Sequence, residues 1–171
     1  IENNVECVTI PLLEDSSVEN QNTIETFKSL IIEYAQEYPD LIFSFECELF
    51  IQGLEEILNL SDNFRVTYDT GNITSYGIEH SEYIDAFYER INNVHLKDRT
   101  FDAKTVYPST GDTNFKLIFD KLLISGYNGL YTLQTARGRP GKEVITILQH
   151  KNILQGLQCK IIFLILLERL L

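Results

Sequence analysis

The sequence predicts an α/β fold organised around a parallel sheet. Short β-rich runs ending in a polar or acidic residue alternate with segments of helical period. The connections between these runs are long enough to cross over between parallel strands. Composition agrees with a folded chain: 44% of residues are hydrophobic and 23% charged, so wholesale disorder is excluded.

The strand-like runs are Val5–Ile10, Leu41–Cys47, Phe64–Asp69, Asn93–Lys97 and Leu130–Gln134, each rich in Val, Ile, Phe, Tyr or Thr. The first helix is expected over Thr23–Glu37, where Ile24, Phe27, Ile31 and then Tyr34 or Ala35 recur at three- and four-residue steps. Further helices are expected at Ile51–Leu60, Ser81–Ile91, Asn114–Ser125 and from Lys142 onward. In the fourth, Phe115, Ile118, Phe119, Leu122 and Leu123 form the apolar stripe and Gly126 gives the stop signal. No low-complexity stretch or Pro/Gly-rich linker interrupts the pattern, so residues 1–171 read as one domain. Residues 155–171 read as an apolar tail helix. Its run Ile161–Leu167 falls far short of the roughly 20 residues that cross a bilayer. A buried last helix, a membrane-surface or partner helix, and a tail that no longer matches the fold all remain open for it.

Charge narrows the partners. With 14 Lys+Arg against 25 Asp+Glu the formal charge is −11, which disfavours a nucleic-acid groove and docking on anionic lipid. Three cysteines, Cys7, Cys47 and Cys159, form no C-x-x-C pair, which suits buried thiols in a reducing compartment. The opening IENNVECVTIP carries neither a basic nor an apolar export region, so a cytoplasmic location is expected. The chain does not begin with Met, so residue 1 need not be a natural start.

Four polar residues share one position in successive units. Glu46 closes FSFE, Asp69 closes RVTYD, His95 lies in NNVHLKD, and Gln134 closes YTLQ. In a parallel α/β barrel the strand C-termini converge on one mouth, so these side chains would meet. Two carboxylates and an imidazole suit a divalent metal: Mn²⁺, Zn²⁺, Co²⁺ or Mg²⁺, the imidazole leaning away from Mg²⁺ alone. Taken singly each has a plainer reading. Asp69 before Thr70-Gly71-Asn72 could satisfy a turn, and a strand histidine could be a core residue. Glu46, after Phe43, Ser44 and Phe45, is harder to explain without a partner. Repetition at the same place favours the site.

The stretches VTYDTGN (Val66–Asn72), NNVHLKDR (Asn92–Arg99) and STGDTNFKLIFDKLLISGYNGLYTLQTARG (Ser109–Gly138) resemble the sugar phosphate isomerase/epimerase branch of the xylose-isomerase-like TIM barrels. That branch is related to hexulose-phosphate isomerases and epimerases, ketose epimerases and AP endonucleases. The ordered set D-T-G-N, V-H-x-K-D-R and G-D-x-x-F is its most specific part, and the likeness covers Val5 to Gly138. It implies a partial TIM (β/α)8 barrel with parallel strands, strands four to eight, the first three βα units lying outside this chain. A complete barrel takes roughly 250 residues.

The resemblance also implies roles. Glu46, Asp69, His95 and Gln134 match the positions that hold the family's metal. Glu48 is an alternative to Glu46, but it falls two residues later, outside the strand. Glu46 would also be catalytic, moving a proton beside the sugar carbonyl through an enediolate. Gln134 departs from the family's Glu: an amide offers a metal its carbonyl oxygen but exchanges no proton near neutral pH. A one-base aldose–ketose isomerisation, or loss of activity, therefore fits better than two-base epimerisation. Lys97, Asp98, Arg99 and Arg137 are expected to bind substrate, with Arg99 or Arg137 on a phosphate or hydroxyl. Thr110-Gly111-Asp112 precedes a helix whose N-terminus could bind an anion, Asp112 serving rather as its cap. His80 and His150 read as surface helix residues without a role.

Three functions follow. The first is a divalent-metal-dependent sugar or sugar-phosphate isomerase/epimerase, with a small-molecule sugar as its partner. The second is a non-catalytic partial barrel, degenerate or partner-dependent, that pairs its open edges with a second copy or with a missing N-terminal half. The third is an AP-endonuclease-like phosphodiesterase, which the acidic charge and the few visible metal ligands place last.

Overall fold

Alternation with a period of two governs the strands. The computed structural model describes residues 5–18, 20–47, 49–157 and 163–164. Its strands β1 (Cys7–Leu12), β2 (Ile42–Cys47), β3 (Phe64–Asp69) and β4 (Ile91–Leu96) lie in that order in a sheet. Two short antiparallel strands follow, β5 (Asp98–Arg99) and β6 (Thr105–Val106), outside that sheet. Strand β7 (Leu130–Leu133) then joins the main sheet beside β4, and β8 (Phe163–Leu164) follows β7. The helices are α1 (Gln21–Glu37), α2 (Ile51–Leu58), α3 (Thr70–Ser75), α4 (His80–Phe87), α5 (Phe115–Ile124) and α6 (Glu143–Leu157). Contacts separate two compact units, Ile1–Thr67 with Arg90–Asn92, and Tyr68–Glu89 with Asn93–Leu171; β3 and β4 contribute residues to both.

In the first unit β1 pairs in parallel with β2 from Cys7↔Ile42 to Leu12↔Cys47, and β2 with β3 from Phe43↔Phe64 to Phe45↔Val66. The apolar set Phe43, Phe45, Phe64 and Val66 is buried. Phe45 meets Phe64 and Phe27 of α1 edge-on, with ring centroids 5.0 and 5.8 Å apart. Helix α1 starts at Asn20, whose side chain accepts the Thr23 N–H at 2.9 Å. Its stripe resolves onto Ala35, which is buried, while Tyr34 is exposed. The intervening strand residues carry polar groups joined to one another. The Ser44 hydroxyl lies 2.6 Å from that of Thr67 and donates to Asn92 Oδ1 at 2.7 Å. Strand β1 starts two residues later than expected and includes Pro11. An edge position tolerates a residue without an N–H, and among the described residues β1 has only β2 beside it.

In the second unit β4 pairs in parallel with β7 from Asn93↔Leu130 to Leu96↔Leu133. Val94, Leu96, Tyr131 and Leu133 are buried, and Tyr131 meets Phe119 of α5 at 6.0 Å. Helix α5 ends as its glycine signals: Gly126 has φ +77°, and the Gly126 and Tyr127 N–H groups donate to the carbonyls of Leu123 and Leu122. The cap of α5 is Asn114, accepting the Leu117 N–H at 3.1 Å, not Asp112, whose carboxylate accepts the Phe101 N–H at 2.8 Å. Strand β8 pairs in parallel with β7, so two residues of the expected tail helix are extended. Helix α6 reaches Leu157, and the rest of that tail lies outside the described residues, as does Cys159. Cys7 is exposed and Cys47 buried. Among the described residues no helix is long and apolar enough to cross a membrane.

Both histidines expected at the surface are buried. His150 is 3% exposed, with Nδ1 2.7 Å from the Thr135 hydroxyl and its ring 4.9 Å from that of Tyr107. His80, 9% exposed, has Nδ1 2.5 Å from the Tyr68 hydroxyl and Nε2 3.0 Å from that of Thr74. Flanking Glu79, Ser81 and Glu82 suggest a wet face, but the first turn of α4 turns His80 inward beside Tyr83 and Ile84, both buried. Desolvation lowers the His80 pKa to about 4, and it lowers that of His150 as well.

Two outcomes follow. Phe45→Ala should cost about 3–5 kcal/mol in urea unfolding, the usual penalty for emptying an aromatic core position. Stability should also fall on acidification. Between pH ~6.5 and about 4 the unfolded chain binds a proton that folded His80 refuses, so stability present above 6.5 is lost toward 4. Unfolding titrations of His80→Gln across that window should show a shallower pH slope.

Candidate metal centre

Asp69 ends β3 and begins α3, and its carboxylate serves both elements. Oδ1 accepts the Asn72 N–H at 2.8 Å as the cap of α3. Oδ2 takes the Lys97 ammonium at 3.0 Å. The plainer reading of Asp69, a carboxylate bonded to the backbone that follows it, therefore holds. Both partners are withdrawn from water, with side chains 12% exposed for Lys97 and 1% for Asp69, so each charge compensates the other. Gly71 makes this possible. A Cβ there would stand 2.8 Å from Lys97 Cγ, so glycine lets the lysine stem lie across the first turn of α3.

His95 is buried on β4, one residue from Leu96, and Thr70 staples this end of the strand to α3. The Thr70 hydroxyl lies 2.7 Å from the Lys97 carbonyl and 3.2 Å from that of His95, and it accepts the Lys97 N–H at 3.0 Å. Glu46 ends β2 and is 6% exposed. One ligating atom from each of Glu46, Asp69 and His95 lies within 4.8 Å of the others, and all three residues are buried. Bonds of about 2.1 Å to a tetrahedral ion set donors about 3.4 Å apart. The separations would need to shorten by about 1.4 Å at most. Gln134 follows β7, and its Oε1 is buried without a hydrogen-bond partner among the described residues. Two carboxylates and an imidazole form a donor set suited to a borderline divalent ion. Glu48 lies outside the described residues.

The residues expected to bind substrate divide. Lys97 faces Asp69 and also reaches Asn72 Oδ1 at 3.4 Å. Asp98 is fully buried, and its carboxylate accepts the N–H groups of Thr110, Gly111 and Thr113 at 3.1, 2.9 and 3.2 Å. It thus organises the loop before α5. Gly111 lies so close that a Cβ would stand 2.5 Å from Asp98 Oδ1. Arg99 is half-buried and donates to the Ser75 hydroxyl at 3.3 Å, while its Nε is buried without a partner among the described residues. Arg137 is exposed after β7. The β5–β6 pair and the short helix α3 escaped the sequence reading: a two-residue strand and a six-residue helix are too brief for periodicity to register.

The model of the xylose isomerase-like TIM barrel family matches residues 42–157, more than half of the chain. The chain belongs to that family. No curated protein matches the sequence. Among solved structures, the fold is similar to a xylose isomerase domain protein from Alicyclobacillus acidocaldarius, with TM-score 0.68 and 16% identity over 89% of this chain and 64% of that one. It is similar to the IolI protein with a bound zinc atom, with TM-score 0.69 and 15% identity over 91% and 65%. It is also similar to the 3-keto-D-glucoside 4-epimerase YcjR of E. coli, with TM-score 0.65 and 11% identity over 86% and 63%. The chain thus spans less than two thirds of each of these barrels, and at such identities the likeness is one of fold. A partial TIM barrel with sugar-isomerising and epimerising neighbours is the result.

Gly71→Ala should push the Lys97 stem off α3 and separate it from Asp69. Urea unfolding should show a loss of about 1–3 kcal/mol, the range for overpacking a filled site.

Proposed function

We propose that this chain is the strand-four-to-eight portion of a divalent-metal-dependent sugar or sugar-phosphate isomerase/epimerase. The observation that carries the reading is the buried convergence of Glu46, Asp69 and His95. The orphaned Gln134 oxygen supports it as a fourth donor. The structural neighbours, among them the epimerase YcjR and an L-ribulose 3-epimerase, favour a sugar as substrate. The zinc bound by IolI favours a metal.

In this reading Glu46, Asp69, His95 and Gln134 hold the ion. When bound, it would polarise the sugar carbonyl and the hydroxyl beside it. Glu46 is the general base, taking the proton from the carbon next to the carbonyl and returning it to the neighbouring carbon. Gln134 cannot return a proton on the opposite face, so the reaction is a one-base aldose–ketose isomerisation rather than a two-base epimerisation. Lys97 holds the Asp69 carboxylate at its strand end, and Arg99 and Arg137 supply cationic donors for a phosphate or hydroxyl. Asp98 acts behind them by fixing the loop that carries Thr110 to Thr113.

Calorimetric titration with Mn²⁺ and with Zn²⁺ tests the reading directly. The wild-type chain should bind one ion, and His95→Ala or Glu46→Gln should weaken binding at least tenfold. No binding at millimolar ion would overturn it. Where the complete barrel is assembled, Glu46→Gln should also abolish solvent-deuterium incorporation into a ketose while sparing the fold by circular dichroism.

A further inference from the structure

A chain of buried hydroxyls and one imidazole connects α4 to the Asp69–His95 end of the proposed metal centre. It begins at Tyr68, which is fully buried. Its O–H lies 2.5 Å from His80 Nδ1. Across the ring, Nε2 lies 3.0 Å from the Thr74 hydroxyl. That hydroxyl donates its single proton to the Thr70 carbonyl at 2.8 Å, so toward His80 and toward Thr113, 2.9 Å away, it accepts. The directions are therefore fixed. Tyr68 donates to Nδ1, and the neutral ring donates from Nε2–H to Thr74. Thr113 in turn accepts the Arg99 N–H at 3.3 Å.

Both ends of this chain bear on the ligands. Tyr68 is the covalent neighbour of Asp69. Thr74 fixes the carbonyl of Thr70, and the Thr70 hydroxyl holds the backbone at His95 and Lys97. Helix α3 has only six residues and sits between the two, capped by Asp69 itself. A helix so short has little cooperative stability of its own, so its orientation depends on outside partners. His80 grips both β3, through Tyr68, and α3, through Thr74.

We propose that His80 is a positioning residue for the metal centre: as the neutral Nε2–H tautomer it locks α3 between Tyr68 and Thr74 and so sets Asp69 and the His95–Lys97 backbone in ligating position. The metal part rests on the function proposed above; the locking of α3 does not. Hydroxyl and imidazole hydrogens assigned this way leave every donor in the chain directed at one acceptor, and an apolar residue at position 80 would strand the buried Tyr68 hydroxyl and cut the link from it to Thr74.

The test compares His80→Leu, which removes both bonds, with His80→Gln, which keeps one donor and one acceptor. The full chain is titrated with Mn²⁺ alone, and amide hydrogen exchange is followed at Asn72, Lys97 and Arg99. His80→Leu should weaken Mn²⁺ binding at least tenfold and speed exchange at those three amides at least tenfold, and His80→Gln should restore both to within about threefold. A lowered melting temperature with Mn²⁺ affinity and the three amides unchanged would overturn the proposal and leave His80 as a packing residue. If the wild-type chain binds no Mn²⁺, the metal reading fails by itself; faster exchange at the three amides then upholds the lock, and unchanged exchange refutes it. Should His80→Leu fail to fold, Thr74→Val, close to threonine in shape, cuts the same link and is read the same way.

Discussion

The structure depends on keeping two chemistries on opposite faces of the same strands. In Phe43-Ser44-Phe45-Glu46 and Tyr68-Asp69, and again in Val94-His95-Leu96, alternate residues pass to opposite sides. The apolar members lie under helices: Phe45 against Phe27, Tyr68 stacked on Tyr83 at 5.2 Å, Tyr131 against Phe119. Their burial drives folding, and because the strands are pinned by that face, the residue one step along has no freedom to choose its side. Glu46, Asp69 and His95 are held by their neighbours' hydrophobicity. A register slip of one residue would exchange a phenylalanine for a carboxylate beneath a helix, a loss no local bond could offset.

Polar residues on the second face do not wait for a ligand unassisted. Ser44, Thr67 and Asn92 bond to one another, and Thr132 donates to Asn93 at 3.0 Å, so the lower part of that face is satisfied internally. Toward the strand ends the hydroxyls and amides give way to groups with ionic or ligating capacity. Asp69 shows how one residue meets structural and chemical demands together: one oxygen caps α3, and the other faces a cation. Since the cap uses the backbone of Asn72, the orientation of the carboxylate is coupled to the helix, and the D-T-G-N spacing is a structural requirement of the site. Its glycine answers to Lys97, whose stem would lie 2.8 Å from a Cβ there although it comes 26 residues later in sequence.

What the sequence made legible was what repeats. Strand–helix alternation, the Phe27–Ile31–Ala35 stripe, the Gly126 stop and the recurrence of polar residues at strand ends are periodic signals, and each appears in the structure near its expected place. What stayed hidden depends on single side chains meeting partners far along the chain. His80 sits among Glu79, Ser81 and Glu82, whose polarity describes the other side of the helix; only Tyr68 and Thr74, twelve and six residues earlier, reveal that its ring is enclosed. Asp98 follows Lys97 and precedes Arg99, so charge patterning suggests a rim residue. Its partners are backbone N–H groups of a loop that no sequence pattern displays. That β1 continues through Pro11 was hidden for a similar reason: whether an N–H is needed depends on which neighbour is present.

Gln134 brings these threads to one chemical question. On the proposed reading, a glutamate there would add a third carboxylate to the ligand set, and the mutual repulsion would need either the full charge of a divalent ion or a shared proton. An amide would remove that repulsion while offering an oxygen of nearly the same reach, so a centre built this way would hold an ion with less dependence on pH. The cost in the proposed reaction would be catalytic, because an amide cannot return a proton from a second face. Substitution of one atom type thus separates binding from symmetric proton transfer. Reverting Gln134→Glu in an assembled barrel would ask which of the two this chain retained: gain of epimerisation alongside isomerisation would locate the difference between the two reactions in that single side chain, whereas an unchanged product stereochemistry would assign it to residues elsewhere in the barrel.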